Sequence, residues 1–346
     1  MASTLLARPL NALGSAFSGL SDPSLSDVVD YRQFQTFDVF TTEAFLGNPL
    51  AVVFLPSNDS MTSSQKKAMA KEFNFVETIF IHPALEGSNK RPVDIYTTQG
   101  EIEFAGHPII GAAFCLFNLS DAKDSTSLTL VTKAGPIEAT KIPFHTGGPP
   151  AVKASIPCNE THLHLKEFPI ETLLKLQPGL SKYQQSLATS FPIFNVVQGM
   201  AQVHIELPEL DALKAVITLP SNIDPEDYLD PGWHAQRLVS YFYVDMHETI
   251  DGAQHIRTRN IYGKGEDPVT GSAACGLCAR LALKSGKPGL SKYHITQGVE
   301  IGRCGDLRVD VTINADGIIQ SIMLAGTAVR VTEGQMCVPN PDDEGN

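Results

Sequence analysis

The pattern of apolar and polar positions along the chain predicts many short strands and few helices. The stretch "YRQFQTFDVF" from Tyr31 alternates as a strand does, and "NPLAVVFL" from Asn48 follows it across a Gly-Asn-Pro turn. The segment 60–73 has helical spacing, with Thr62 or Ser63 as its N-cap. Strand patterns then recur to the end of the chain. The sequence therefore predicts an α+β fold dominated by strands.

Two runs of small apolar residues predict buried helices. They are "PIIGAAFCLFNL" from Pro108 and "PVTGSAACGLCARLALKSG" from Pro268. Segment 107–115 aligns with 267–275, with Pro, Gly, Ala and Cys at matching positions. Strands flank each run. We expect two pseudo-symmetric lobes, each a barrel-like, mostly antiparallel sheet around one central helix; chance similarity between two Ala-rich helices is the alternative.

Changes in composition predict the boundaries of these lobes. Residues 1–30 read as an N-terminal extension, since a targeting peptide is usually richer in arginine. The first lobe takes 31–145 and 328–340, and the second takes 150–327. The Gly- and Pro-rich stretch 145–152 is the expected crossing between them. The cytoplasm is the expected location.

Charge and cysteine usage exclude several classes of function. The 346 residues carry a formal net charge of -12, which leaves no basic surface for nucleic acid or anionic membranes. No run of 18 apolar residues is present to span a bilayer. The six cysteines are scattered along the chain, which is typical of proteins in a reducing compartment. Small molecules or other proteins remain as partners.

A single acid stands in the apolar stretch "NFVETIFI", residues 74–81. This stretch predicts a strand with both faces buried, and Glu77 shares a face with Ile79. An isolated ionised carboxylate there would cost several kcal/mol, so Glu77 needs a raised pKa or a dedicated partner. The alternative is a structural glutamate at a strand end, paired with a lysine.

Both helical runs are preceded by a polar residue and a proline, at His107–Pro108 and Asp267–Pro268. The pattern is typical of a helix start, where the side chain caps and proline takes the first helical position. If both N-termini point at one cleft between the lobes, backbone N–H groups at Gly106, Gly271 and Ser272 would bind an anion. We therefore expect an anionic substrate.

Glu77 in the same cleft would be a general acid/base. Apolar neighbours lift the pKa of a glutamate toward neutrality, where it can take a proton from carbon and return it elsewhere. His107 would relay a proton or hold the substrate, and Asp267 would orient it. The structural alternatives are a capping imidazole at His107 and simple packing at Ser272.

Five stretches occur in the order and at the spacing found in the PhzF family of phenazine-biosynthesis isomerases, which this chain resembles over residues 31–335: "FDVFTTEAFLGNPLAVVFL", "NFVETIFI", "EIEFAGHPIIGAA", "NVVQGMAQVHIEL" and "GEDPVTGSAACG". The resemblance implies a fold similar to that of diaminopimelate epimerase, with the active site between two lobes. It places the family's catalytic glutamate on Glu77, its Gly-His motif on Gly106 and His107, and its Asp-Pro-x-Thr-Gly-Ser motif on 267–272. Members commonly form homodimers and use neither metal nor organic cofactor.

Three other signals are weaker. The thiols of "CGLC", Cys275 and Cys278, lie in the middle of a predicted buried helix, which favours core packing over a redox pair. "HLH", at His162 and His164, lacks an evident third ligand for zinc. A two-thiol racemase, as in epimerases of the related fold, is disfavoured because Cys115 and Cys275 lie well inside the helices.

The sequence thus predicts a cofactor-independent isomerase that moves a proton between carbons of a small carboxylated cyclic or enolisable metabolite. Two alternatives stay open. One is a family member that binds a metabolite or a protein without turnover. The other is a biosynthetic enzyme that couples the proton shift to a rearrangement or cyclisation. A homodimer is expected.

Overall fold

The computed structural model describes residues 30–118, 124–143, 150–220 and 223–340. Twenty named strands lie in these ranges: β1 (Tyr31–Val39), β2 (Asn48–Phe54), β3 (Glu77–Ile81), β4 (Lys90–Thr97), β5 (Gly100–Ile102), β6 (Ser127–Thr132), β7 (Gly135–Pro143), β8 (Pro150–Ile156), β9 (His162–Leu163), β10 (Phe168–Pro169), β11 (Ser190–Phe191), β12 (Ile193–Asn195), β13 (Gly199–Glu206), β14 (Ala235–Ile250), β15 (Ala253–Tyr262), β16 (Gly265–Asp267), β17 (Gly289–Gln297), β18 (Gly305–Ile313), β19 (Ile319–Gly326) and β20 (Ala328–Cys337).

The same ranges contain five α-helices: α1 (Ser63–Phe73), α2 (Gly106–Asn118), α3 (Ile170–Leu176), α4 (Leu210–Lys214) and α5 (Gly271–Ser285). Short 3₁₀ helices cover Pro178–Ser186, Pro225–Asp227 and Val299–Ile301. Thr62 is the N-cap of α1, in a reciprocal capping box with Gln65. None of the described helices is long and apolar enough to cross a bilayer.

Most strand pairs are antiparallel, as the sequence predicts. The parallel exceptions are β2 with β3, β4 with β6, β13 with β14, and β15 with β17. The chain closes on itself at its ends, because β20 pairs with β1 along its length. This pairing places the C-terminal strand beside the first strand, and the assignment of both to one lobe stays a prediction.

α2 and α5 are each surrounded by strands. α2 packs against β1, β2 and β3 on one side and β6, β7, β8, β19 and β20 on the others. α5 packs against β12, β13, β17, β18 and β19. Both helices are buried on nearly all faces, since small residues let the strands approach closely. The predicted architecture of strands around two central helices is confirmed.

The predicted helix starts are wrong in detail. α2 begins at Gly106, so His107 and Pro108 both lie in its first turn. α5 begins only at Gly271, after the N-cap Thr270. Asp267 therefore ends strand β16 and does not cap a helix. Proline alone does not decide the start, because residues 267–270 bond to other strands instead of entering the helix.

The sheet is continuous between the two halves. β8 packs against α2 and pairs with β7, yet it also pairs with β19. β8 therefore belongs to the sheets around both helices, and the division of the chain near residue 150 stays a prediction. The predicted extension at 1–30 lies outside the described residues except for Asp30, as do residues 144–149 of the predicted crossing.

Candidate active site

The N-termini of α2 and α5 meet. A Cβ atom added to Gly271 would lie 3.3 Å from the Cα of Gly106, and one added to Gly106 would lie 3.1 Å from the backbone nitrogen of Ser272. Leu324 packs against both glycines from β19. Glycine is needed at both positions because any side chain would push the helix ends apart. The sequence-predicted convergence of Gly106, Gly271 and Ser272 is therefore present.

The first turn of α5 is open to a ligand. N–H groups in the first turn of a helix have no intrahelical acceptor, and the side chain of the N-cap Thr270 makes no capping hydrogen bond here. Ser272 is partly exposed, while Gly271 is buried. Together with the adjoining end of α2, this arrangement gives backbone donors and two positive helix ends, which favour an anion.

Glu77 is the first residue of β3. It stands opposite Leu50 of the parallel neighbour β2, and its side chain is 13% exposed. The strand starts here and not at Asn74, because Asn74 adopts a left-handed conformation and ends α1. The residues that follow Glu77 on both faces of β3 are buried, as expected.

Burial raises the pKa of Glu77 to about 8, and the nearby charge of Asp267 adds to this shift. The positive charge of Arg237 opposes it. Oε2 of Glu77 is buried and has no hydrogen-bond partner among the described residues. A buried acceptor without a partner is unusual, and a ligand that supplies the missing contact explains it.

His107 lies beside Glu77. Nδ1 of His107 is 3.4 Å from Oε2 of Glu77, and the imidazole is almost fully buried. Burial lowers the pKa of His107 to about 3, although a hydrogen bond to the backbone of Pro49 opposes the shift. The ring is therefore neutral near pH 7. Its Nε2 is also buried and without a partner in the described part of the chain.

Asp267 is held by donors from both halves of the chain. Its Oδ1 accepts a hydrogen bond of 2.8 Å from Nδ2 of Asn48, and its Oδ2 accepts one of 2.5 Å from Oγ1 of Thr270. Burial raises the pKa of Asp267, and these hydrogen bonds oppose the shift. Each oxygen of Asp267 has a donor and Oε2 of Glu77 has none among the described residues, so negative charge is better stabilised on Asp267 than on Glu77.

A hydrogen-bond network fixes the direction in which Thr270 donates. Oγ1 of Thr270 accepts from Nδ2 of Asn260 (2.6 Å) and from Nε2 of Gln297 (3.0 Å). A hydroxyl has two acceptor sites and one donor, so its proton is left for Asp267. Nε2 of Gln297 also donates to the backbone oxygen of Asp267 (2.8 Å), and Oε1 of Gln297 accepts from Tyr241 (3.1 Å).

Sequence reasoning missed the residues that support Asp267. Asn48 was interpreted only as part of a turn, although it also donates to the backbone oxygen of Val269 and so links β2 to the start of α5. A polar side chain next to a turn proline, followed directly by an apolar strand, was the available signal. Gln297 carried no local signal, because its contacts are with residues distant in sequence.

His162 and His164 gain the third partner that the sequence did not reveal. Nε2 of His162 lies 2.8 Å from Asp230, and the three residues offer ligand atoms within 4.8 Å of one another. The ring nitrogens of His164 are already used: Nδ1 accepts from the backbone of Asp230 (3.0 Å) and Nε2 faces Oδ1 of Asn195 (2.8 Å). This hydrogen bonding accounts for the cluster as a structural one, and the absence of a metal stays a prediction.

The cysteines of the central helices are packing residues. Cys115, Cys275 and Cys278 are buried, and burial raises the pKa of each thiol. None of them reaches the helix N-termini at which a racemase would need its thiols. The predicted core role of "CGLC" agrees with this burial, since a reactive thiol needs an exposed, electropositive setting.

Comparison with known proteins identifies the family. The sequence model for phenazine biosynthesis-like proteins (PhzC-PhzF) matches residues 37–334. An uncharacterized isomerase of Pasteurella multocida is 30% identical over 90% of this chain and 96% of its own length. The trans-2,3-dihydro-3-hydroxyanthranilate isomerase of Pseudomonas fluorescens is 30% identical over 79% of this chain and 87% of its own length.

The fold has solved counterparts. The crystal structure of a Bacillus anthracis phenazine biosynthesis protein of the PhzF family superposes with a TM-score of 0.71 at 22% identity, covering 89% of this chain and all of that one. The isomerase class and the resemblance predicted from the motifs are confirmed. The chain belongs to the phenazine biosynthesis-like (PhzF) family.

Proposed function

We propose that the protein is a cofactor-independent isomerase that moves a proton between two carbons of a small carboxylated substrate, cyclic or enolisable, with Glu77 as the acid/base. One observation carries the proposal. Glu77 has a buried oxygen without a partner in the described part of the chain and a pKa of about 8, and it lies beside His107 in the first turn of α2. A base with a pKa near the working pH is best suited to proton transfer.

The proposed reaction involves only the substrate and the carboxyl group of Glu77. Ionised Glu77 takes a proton from an activated carbon, which breaks one C–H bond and moves an electron pair into the conjugated system. Glu77 then returns the proton to a second carbon, which forms a new C–H bond and shifts the double bond. No oxidant, reductant or second substrate is needed.

The helix N-termini stabilise the intermediate. Negative charge that leaves the broken C–H bond spreads onto a substrate oxygen, where the N–H groups of Gly271 and Ser272 and the end of α2 can meet it. Loss of one preorganised donor from an oxyanion hole typically costs about 3–4 kcal/mol. His107, neutral and with a free Nε2, holds a substrate oxygen or passes a proton.

Asp267 keeps the proton affinity of Glu77 high. Its negative charge raises the pKa of Glu77, and its own oxygens are occupied by Asn48 and Thr270. Asp267 therefore acts on the substrate through Glu77 and not as a second base. An anionic substrate, a homodimer and a cytoplasmic location remain predictions from the sequence.

Proton exchange with solvent tests the proposal. The protein is incubated in D₂O with trans-2,3-dihydro-3-hydroxyanthranilate, the substrate named for the P. fluorescens relative, and with a panel of small cyclic carboxylates that carry an acidic C–H. We expect deuterium at carbon with the wild type and none with Glu77→Gln. Glu333→Gln on the exposed face of β20 is the matched control.

The outcomes separate the three functions. If Glu77→Gln exchanges deuterium as fast as the wild type, the assignment of Glu77 is wrong. Tight binding of a carboxylate with no exchange into any compound would favour a binding protein without turnover. A product with a new ring or an altered carbon skeleton would favour coupled rearrangement.

A further inference from the structure

A cation that the proposed reaction does not use stacks on Tyr262, whose hairpin partner β16 ends at Asp267. Arg237, in β14, is close enough to Glu77 for its charge to lower the pKa of that acid. It is half-buried, and within the described ranges its guanidinium has no hydrogen bond or ion pair. A half-buried arginine without a carboxylate partner is unusual in a chain with 38 acidic and 26 basic residues.

Tyr262 holds the guanidinium in place. The centre of the Arg237 guanidinium lies 5.2 Å from the ring centroid of Tyr262, in a cation–π contact. Gly265 packs against the same ring, and a Cβ atom on Gly265 would fall 2.5 Å from a ring carbon. The hairpin of β15 and β16 thus fixes the ring of Tyr262. The ring holds the guanidinium of Arg237 without neutralising its positive charge.

An irregularity in the sheet puts Arg237 at this place. β14 has one more residue between Ala235 and Leu238 than its partner β13 has between Gly199 and Ala201. Such a bulge turns a side chain away from regular alternation, and bulges are frequent beside active sites. Asn260 and Tyr262 lie on the same face of β15, and Asn260 donates a hydrogen bond to Thr270. Tyr262 therefore lies next to the hydrogen-bond network that holds Asp267.

The charges in the site explain why a cation is needed. An anionic substrate must approach two acids, Glu77 and Asp267, on a protein of net charge -12. An arginine bound to Glu77 would lower the pKa of that acid much further and weaken it as a base. A guanidinium held aside on a tyrosine ring remains available for the ligand.

We propose that Arg237, positioned by Tyr262, binds the carboxylate of the substrate and thereby selects monocarboxylates with an acidic C–H over their neutral analogues. The inference rests on the proposed function, because it assigns the anion-binding group of the same site. The helix N-termini then remain free for the charge that develops on a substrate oxygen during proton transfer. Arg237 is a binding residue, and Tyr262 is a positioning residue.

Binding of an unreactive ligand tests this without turnover. The probes are 3-hydroxyanthranilate, an aromatic carboxylate with no proton to shift, and the matched neutral compound 3-hydroxyanthranilamide, both measured by calorimetry. We expect the wild type to bind the carboxylate at least about 10-fold more tightly than the amide, as a charge-assisted bidentate contact allows. Arg237→Met should remove this preference, and Arg237→Lys should restore part of it.

Three further variants separate recognition from folding. Tyr262→Ala should weaken carboxylate binding without altering amide binding, whereas Tyr262→Phe, which keeps the ring, should bind as the wild type does. Arg330→Met, which removes an exposed arginine paired with Glu333, should also leave the preference unchanged. Melting curves confirm that each variant is folded.

The inference is overturned if Arg237→Met keeps the wild-type preference, or if the wild type binds the carboxylate no better than the amide. Either result leaves the deuterium experiment on Glu77 unaffected. Conversely, an Arg237-dependent preference combined with unchanged exchange in Glu77→Gln would reject the catalytic proposal and retain this one.

Discussion

Nδ1 of His107 lies 3.4 Å from Oε2 of Glu77, yet the two groups do not form an ion pair at neutral pH. Burial lowers the pKa of His107 to about 3 and raises that of Glu77 to about 8, so both are mostly uncharged near pH 7. A neutral imidazole beside a protonated carboxyl costs less to bury than two charges would. The pair is therefore ready to exchange protons with a ligand.

Replacing Glu77 by glutamine should stabilise the protein increasingly as pH rises. Because the pKa of Glu77 is raised from its ordinary value of 4.5 to about 8, wild-type protein loses stability progressively between these two pH values and no further above them. We expect the stability gap between Glu77→Gln and wild type to widen by about 2–3 kcal/mol from pH 6 to pH 9. Urea unfolding at both pH values measures it; a gap independent of pH would contradict the prediction.

The pH dependence of turnover should report the same group. With Glu77 as the base, kcat/KM should increase with pH and level off above about 8. Asp267→Asn removes a negative neighbour, so the rise should move to lower pH while staying above the ordinary value, because burial remains. Initial rates of both proteins, measured over about five pH units from pH 5 to pH 10, show where kcat/KM rises. A rise at the same pH in both proteins would exclude coupling between Glu77 and Asp267.

Thr270→Val should shift the pH dependence of turnover, and Thr270→Ser should not. Oγ1 of Thr270 donates to Oδ2 of Asp267 at 2.5 Å, and valine leaves that buried oxygen without a donor. The pKa of Asp267 then rises further, Asp267 carries less negative charge, and the rise of kcat/KM should move to lower pH, as in Asp267→Asn. Serine keeps the hydroxyl and serves as the matched control. The same dependence of kcat/KM on pH in the two variants would show that the hydroxyl is unimportant.

Alanine at either helix tip should cost both stability and ligand binding. A Cβ on Gly271 would lie 2.9 Å from Cδ2 of Leu324, and the resulting overpacking costs about 1–3 kcal/mol and separates the two N-termini. Gly179→Ala, which crowds the backbone oxygen of Ala215 at 2.9 Å in a different core, is the control. Both variants should melt earlier, but only Gly271→Ala should lose affinity for 3-hydroxyanthranilate. Equal affinity in the two would refute a role for the tips.

The sequence predicted the features that local pattern determines. Glu77 stood out because an acid in an apolar strand needs an explanation, and the buried helices followed from their small apolar residues. Gly286 follows the second helical run directly, as glycines that end helices do, and it ends α5 in a left-handed conformation with φ 64°. These features depend on neighbours within a few positions along the chain.

Contacts between distant residues decided the rest. Asp267 looked like a helix cap because proline follows it, but its partner Asn48 lies on another strand in the first half of the chain. The same holds for Asp230, which approaches His162 and His164 only in the folded protein. No periodicity links such positions, so their pairing could not be deduced from one sequence.

The protonation state of Glu77 tests the account most directly, and it needs no substrate. The side-chain carboxyl of Glu77 is followed by ¹³C NMR during a pH titration of glutamate-labelled protein, with Glu77→Gln used to assign the signal. The account predicts that this carboxyl titrates with an apparent pKa near 8. A midpoint near 4.5, the ordinary value for glutamate, would contradict it.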